Sequence, residues 1–188
     1  MRKLVISEFV SLDGVMEAPG KDGSSYEYAG WTMPYGNQQF MKLKSAELMA
    51  ADVLLLGRVT YSGFAAAWPK MRGDVFSDRM NNIPKYIVTK TLSSLDWANS
   101  HRISDDLQKE VTALKSGGDG DILVAGSGQL ARGLISAGLV DQIRLLVYPI
   151  VLGSGKRLFQ ETQKTALQLT RSEAFESGVV VLEYQPEK

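Results

Sequence analysis

Ile122-Leu-Val-Ala-Gly-Ser-Gly-Gln-Leu-Ala-Arg-Gly-Leu-Ile135 is the stretch that decides the fold. A short apolar run meets a small-residue turn, Gly126-Ser127-Gly128, and passes at once into a helix-period pattern, Leu130, Leu134 and Ile135. The segment predicts a buried strand, a tight turn and a helix, the unit from which α/β sheets are made. The first N–H groups of such a helix lack intrahelical partners and lie at the positive end of its dipole. The turn therefore suits an anion as well as close backbone packing. A nucleotide phosphate site and a plain βα turn are both open at this point.

Working outward, the same alternation recurs. Leu4 to Val10 reads as a first strand, rich in β-branched and aromatic residues, closed by the turn signal Ser11-Leu-Asp-Gly14. A polar, glycine-containing loop runs to about Gly36, and Gln38 to Ala50 carries apolar residues at mixed three- and four-residue spacing, as in an amphipathic helix. Ala51 to Leu56 is a buried strand closed by Gly57, and Thr60 to Ala67 a helix ended by Pro69. A short helix around Val75–Asn81, a strand at Lys85–Thr89 and another within Trp97–Ile103 follow, and Ser104-Asp-Asp opens a further helix with a capping-box-like start. After the central segment, Val140–Val147 is a strand, and Leu167–Phe175 with Val179–Tyr184 forms an antiparallel hairpin. Strands alternating with helices give an α/β sheet, and the hairpin makes it mixed. Residues 1–188 read as one domain.

Composition narrows the chemistry. A chain of 188 residues is long enough to bury roughly 70% of its unfolded surface. Its 21 basic and 21 acidic residues balance, which argues against a nucleic-acid partner. With no cysteine and one histidine, His101, disulfides, thiolate nucleophiles, multi-histidine metal sites and most Ser-His machinery are excluded, and no metal is expected. No apolar run reaches membrane-spanning length, and Met1 leads straight into the first strand without a signal-like apolar region, so the expected compartment is the cytoplasm.

Two further strand ends carry phosphate-compatible groups. Gly57-Arg-Val-Thr-Tyr61 repeats the strand-to-helix geometry and adds the planar donor fork of Arg58 and the hydroxyl of Thr60, a combination suited to a second phosphate such as the 2′-phosphate of NADP. A helix cap with a solvated arginine is the plainer alternative. Thr89-Lys-Thr91 places hydroxyls and an ammonium at the next strand end, or is simply a loop. Ligands of open α/β sheets bind at the carboxyl ends of strands, and a dinucleotide with separated phosphates would use several ends together. The Gly-x-Gly-x-x-Gly fingerprint is not met: Ala131 stands at the third position, and the motif is not on the first strand. A Rossmann dehydrogenase is therefore disfavoured.

The series Ser11-Leu-Asp-Gly14, Gly57-Arg-Val-Thr-Tyr61, Thr89-Lys-Thr-Leu92, Gly126-Ser-Gly-Gln-Leu130, Gly138-Leu-Val-Asp141 and Pro149-Ile-Val-Leu-Gly-Ser-Gly-Lys-Arg-Leu-Phe159 resembles the RibD C-terminal domain family. That family shares the dihydrofolate reductase fold. The resemblance implies a central mixed sheet flanked by helices, NADPH as cofactor, a small-molecule substrate and a homodimer. It implies that Gly57, Arg58 and Thr60 bind the adenosine-side phosphates and that Thr89 and Lys90 lie near the adenine ribose. Gly126, Ser127, Gly128, Gln129 and Leu130 would hold the pyrophosphate. Asp13 matches an aspartate beside the substrate and nicotinamide, and could otherwise be a turn residue accepting backbone N–H bonds.

Trp31-Thr-Met-Pro34, with Phe40 six residues beyond the proline, looks like the substrate-side loop and helix of dihydrofolate reductases. Trp31 and Phe40 are therefore substrate-side candidates, with core packing as the alternative. The carboxylate that binds the pterin in those enzymes is replaced here by Gly36, followed by Asn37. A position without a charge cannot hold a protonated pterin by a charge-assisted pair unless Asp13 or Glu17 substitutes. Lys156 and Arg157 suit either a substrate phosphate or the solvated surface. The activity implied is that of a 5-amino-6-(5-phosphoribosylamino)uracil reductase-like enzyme transferring hydride to a small heterocyclic or ribosyl substrate. Pterin reduction and a non-catalytic, NADPH-binding dimer are the alternatives.

Overall fold

The computed structural model describes residues 1–21, 23–160 and 164–187. Its elements are β1 (Leu4–Ser11), α1 (Gln38–Ala50), β2 (Ala51–Gly57), α2 (Arg58–Ala67), α3 (Val75–Asn82), β3 (Lys85–Val88), β4 (Ser100–Ile103), α4 (Leu107–Ser116), β5 (Asp121–Ala125), α5 (Gly128–Ser136), β6 (Gln142–Tyr148), β7 (Leu167–Ala174) and β8 (Val180–Pro186). The strands form one sheet in the order β4-β3-β2-β5-β1-β6-β8-β7. Strands β1 to β6 run parallel, and β8 turns antiparallel against β6 before β7 completes the hairpin. The expected mixed α/β sheet is present.

Local boundaries follow the chemistry of the caps. Asn37 accepts the Phe40 N–H and starts α1, and Asp74 accepts the N–H groups of Phe76 and Ser77 to start α3. The α4 helix begins later than the Ser104 motif suggests, because the Asp106 carboxylate takes the Lys109 N–H as its cap. The strand expected within Trp97–Ile103 is confined to its end. Trp97 is buried against Tyr61, whose hydroxyl accepts the Trp97 N–H at 3.1 Å, and is thereby held out of the ladder.

The sequence of β1, LVISEFVS, is almost wholly buried because the strand lies between β5 and β6 with packed layers on both faces. Leu4, Ile6 and Val10 join Ile122, Val124, Leu130, Leu134 and Ile143 on one side. On the other, Phe9 and Phe40 pack with Trp31, Tyr35, Leu146 and Tyr148. A third cluster, including Leu48, Leu54, Leu56, Tyr61, Ile87 and Trp97, holds β2 and β3 to their helices.

Register creates the feature that matters for the site. On its β5 side, β1 is paired only as far as Ser7↔Ala125, whereas β6 follows it to Ser11↔Tyr148. On the other flank of β5, β2 is paired to Leu55↔Val124 and continues to Gly57. The early end of β5 leaves a notch at the carboxyl edge of the sheet, between β1 and β2, and the Gly126-Ser127-Gly128 turn occupies its base.

Candidate active site

The notch is built from two helix starts locked together by one hydroxyl. The Ser127 Oγ accepts the Gly57 N–H at 2.8 Å and donates to Thr60 Oγ1 at 2.8 Å. The starts of α2 and α5 are thus joined across neighbouring strands. Ser127 adopts φ 70° and ψ 50°, a left-handed conformation uncommon outside glycine, and gives α5 no side-chain cap. The first helical bond of α5 is Ala131 N–H to the Ser127 carbonyl at 2.9 Å, so the N–H groups before it face the notch. Small residues are required by proximity: a Cβ on Gly126 would lie 3.0 Å from Thr60 Oγ1, and one on Gly128 2.5 Å from Met16 Sδ.

The sequence candidates divide into those at the notch and those around it. Gly57, Thr60, Gly126, Ser127 and Gly128 converge there, and Arg58 is exposed at the first position of α2. Gln129 is exposed on the first turn of α5, whereas the Leu130 side chain belongs to the core and only its backbone faces the turn. Thr89 is buried at the end of β3, where its hydroxyl oxygen accepts the N–H groups of Thr91 and Leu92 at 3.2 Å each. Its neighbour Lys90 is exposed.

Asp13 and Glu17 are fastened to the long loop after β6. The Asp13 carboxylate accepts the Ser11 hydroxyl at 2.7 Å, the Leu152 N–H at 3.1 Å and the Gly153 N–H at 2.9 Å, with Arg157 farther off at 3.5 Å. These bonds, the Ser11 hydroxyl first, pull its pKa down to about 2. Glu17 is likewise held below the ordinary carboxylate range, chiefly by the Lys156 ammonium. Neither acid carries a proton near neutrality. Lys156 and Arg157 serve as their counter-charges, and Arg157 Nε also donates to the Asp13 carbonyl at 3.0 Å.

Beyond the notch, aromatic side chains line the side of the sheet covered by α1. Trp31 meets Tyr148 edge-on at 5.2 Å, and its Nε1 donates to the Glu17 carbonyl at 2.8 Å. Phe40 packs on Phe9 at 5.6 Å and is half-buried. Gly36 is exposed, and Asn37 is committed to capping α1, so neither offers a carboxylate to a substrate.

Two acids of consequence have no counterpart among the sequence candidates. Glu47 of α1 is buried and accepts from Ser7 Oγ at 2.7 Å and from Arg144 at 2.8 Å, with Lys44 against its second oxygen. Burial would raise its pKa, but Lys44 and Arg144 outweigh it and keep the group ionised. Glu8 of β1 is only 2% exposed, and one carboxyl oxygen is buried with no hydrogen-bond partner. Burial pushes it up to about 8 against the opposing pull of Lys44 and of the Gly126 N–H, with Glu47 adding to the rise. A charge in the middle of the apolar run Leu4–Val10 is the one sequence signal for it, since a strand buried on both faces has no solvated side for a carboxylate.

This geometry defines a mixed α/β protein with a notch at the carboxyl edge of its sheet and a mostly buried aromatic cluster under α1. The model of the RibD C-terminal domain matches residues 2–181, and the chain belongs to that family. An uncharacterized protein of Bacillus subtilis (strain 168), YyaP, is 29% identical over 188 residues, covering 97% of this chain and 94% of its own. Among solved structures, a putative riboflavin biosynthesis protein from Shewanella sp. PV-4 superposes with a TM-score of 0.77 at 18% identity, over 99% of both chains. Dihydrofolate reductase from Enterococcus faecalis, complexed with NADP(H) and RAB-propyl, gives a TM-score of 0.61 at 16% identity, over 99% of this chain and 97% of that one. At these identities the two structures speak to the fold.

Proposed function

We infer that the protein is an NADPH-dependent reductase acting on a small heterocyclic or ribosyl substrate, by resemblance of the 5-amino-6-(5-phosphoribosylamino)uracil reductase type. The observation that carries this reading is the convergence of two uncapped helix starts, α2 and α5, through the single hydroxyl of Ser127 at the carboxyl edge of the sheet. Family membership and the NADP(H) complex of the Enterococcus relative support the choice of nucleotide.

The residues fit the cofactor by chemistry and by space. The N–H groups ahead of Ala131 suit the pyrophosphate, and the close approach at Gly126 and Gly128 fits a backbone drawn up to a ligand. Arg58, exposed and without a carboxylate partner among the described residues, suits the 2′-phosphate. When bound, NADPH supplies the hydride. The chain's own contribution is positioning: Asp13 and Glu17 fix the loop after β6 against the end of β1, and the half-buried ring of Phe40, backed by Phe9 and by the buried Trp31 and Tyr148, is a part of the aromatic cluster left for a flat substrate to meet. Asp13 and Glu17 are already engaged by the loop after β6, so neither is free to substitute for the carboxylate missing at Gly36, which argues against pterin reduction.

Titration by nicotinamide fluorescence is the test. NADPH is expected to bind at least about tenfold tighter than NADH, and Arg58→Ala to remove most of that margin, a difference of about 1.4 kcal/mol. Equal affinities in the parent protein would remove Arg58 from the site. A thermal-shift screen of pteridines, pyrimidines and phosphoribosyl compounds in the presence of NADPH then finds the substrate class.

A further inference from the structure

Glu8 lies where β1 outruns β5. It is the first residue of β1 past the last β5 pair, Ser7↔Ala125, so its side chain stands at the floor of the notch. The backbone N–H of Gly126, the first residue of the turn, acts on its carboxyl group in favour of the charged form. One carboxyl oxygen is buried and unpartnered. The charges acting on it come from α1, Lys44 in favour of the carboxylate and Glu47 against it; the first turn of α5 contributes no acid. Lys44 is already engaged by Glu47 and by Ser7 Oγ at 3.1 Å, so it is not a dedicated counter-ion for Glu8.

We propose that Glu8 is a proton-carrying positioning residue of the nucleotide site, standing behind the glycine turn and retaining its proton whenever an anion occupies the turn. The proposal rests on the nucleotide reading above. A carboxylate directly behind the N–H groups that receive a phosphate would repel it across a region of low dielectric. The neutral acid removes that repulsion. Binding of an anionic nucleotide is thereby coupled to proton uptake at Glu8, and alkaline conditions weaken binding without touching the ligand. A group titrating at about 8 that must be protonated for binding lowers affinity about tenfold between pH 7 and pH 9.

Calorimetric titration with NADPH and with NADH, in two buffers of different ionisation enthalpy, tests this. Phosphates of both ligands are fully ionised above about pH 8, so proton uptake there belongs to the protein. The parent protein is expected to take up a proton on binding and to show the tenfold loss. Glu8→Gln, which keeps the shape of the neutral acid, is expected to bind with an affinity that changes by less than about twofold between pH 7 and pH 9 and with the uptake abolished. Binding by the parent without uptake overturns the proposal even if Glu8→Gln fails to fold, and uptake retained in Glu8→Gln overturns it as well. Sulfate separates this inference from the functional reading. If neither nucleotide binds but sulfate raises the melting temperature more at pH 7 than at pH 9, and this pH difference vanishes in Glu8→Gln, the reductase reading falls and the proton linkage stands. No stabilisation by sulfate and no nucleotide binding removes both.

Discussion

Glu47 and Glu8 are both buried carboxylates, 6% and 2% exposed, and they titrate in opposite directions. Glu47 is enclosed by Lys44, Arg144 and Ser7, and Arg144 reaches on to Glu183, which also meets Gln142 and Arg171. That network ties α1, β1, β6, β8 and β7 into one charged seam. Glu8 has no counter-charge of its own and a buried oxygen without a hydrogen-bond partner. The difference teaches how to read buried acids: burial among counter-charges marks architecture, and burial without one marks a place where a ligand or a proton completes the set.

Breaking the seam has the largest expected effect. Arg144→Ala leaves Glu47 and Glu183 facing each other's space without their shared cation, and is expected to cost about 3–5 kcal/mol in urea denaturation. A loss below about 1 kcal/mol would show that the seam is no more than a solvated surface array.

Glu8→Gln sharpens the contrast through pH. The folded-state pKa of Glu8 is raised from 4.5 to about 8, so the folded protein holds the extra proton and its contribution fades as pH rises through that window. The parent is expected to lose up to about 1.4 kcal/mol per pH unit relative to Glu8→Gln between pH 5 and pH 8. Parallel stability curves for the two proteins would mean that Glu8 is not raised.

Ser127→Ala tests the hinge between the two helix starts. It removes the acceptor of the Gly57 N–H and the donor to Thr60, and is expected to cost about 1 kcal/mol by thermal melting. Smallest is Asp13→Asn, which weakens the clamp on Leu152 and Gly153 at a partly exposed position and is expected to cost about 1 kcal/mol or less. Because the Asp13 pKa is lowered from 3.8 to about 2, the parent's advantage is full above pH 3.8 and vanishes as pH falls through about 2. An advantage that persists at pH 1.5 would rule out the carboxylate as its source.

Much of this molecule is legible in its residues. The alternation of apolar runs with helix-period segments gives the parallel strands, and the Glu176-Ser-Gly178 turn gives the hairpin. The three strand ends with small or cationic residues do lie on one edge of one sheet. What escapes a reading along the chain is partnership across it. Asp13 is visible as a turn acid, but its bonds to Leu152 and Gly153 span 139 and 140 positions. Lys156 and Arg157 look like free cations until Glu17 and Asp13 are found beside them. The relative lengths of β1 and β5, which open the notch and bury Glu8, depend on register, and neither strand's own sequence states it.

The central place of β1 also bears on how the chain is made. Its first pairing partner in β5 lies about 120 residues downstream, so at ordinary synthesis speeds LVISEFVS waits roughly ten seconds or more before a neighbour exists. An uninterrupted apolar strand exposed for that long is a template for other nascent chains. Ser7 and Glu8 interrupt it, the serine hydrated and the glutamate ionised while the strand is naked, so the acid placed at the notch in the finished protein also guards the strand during its birth.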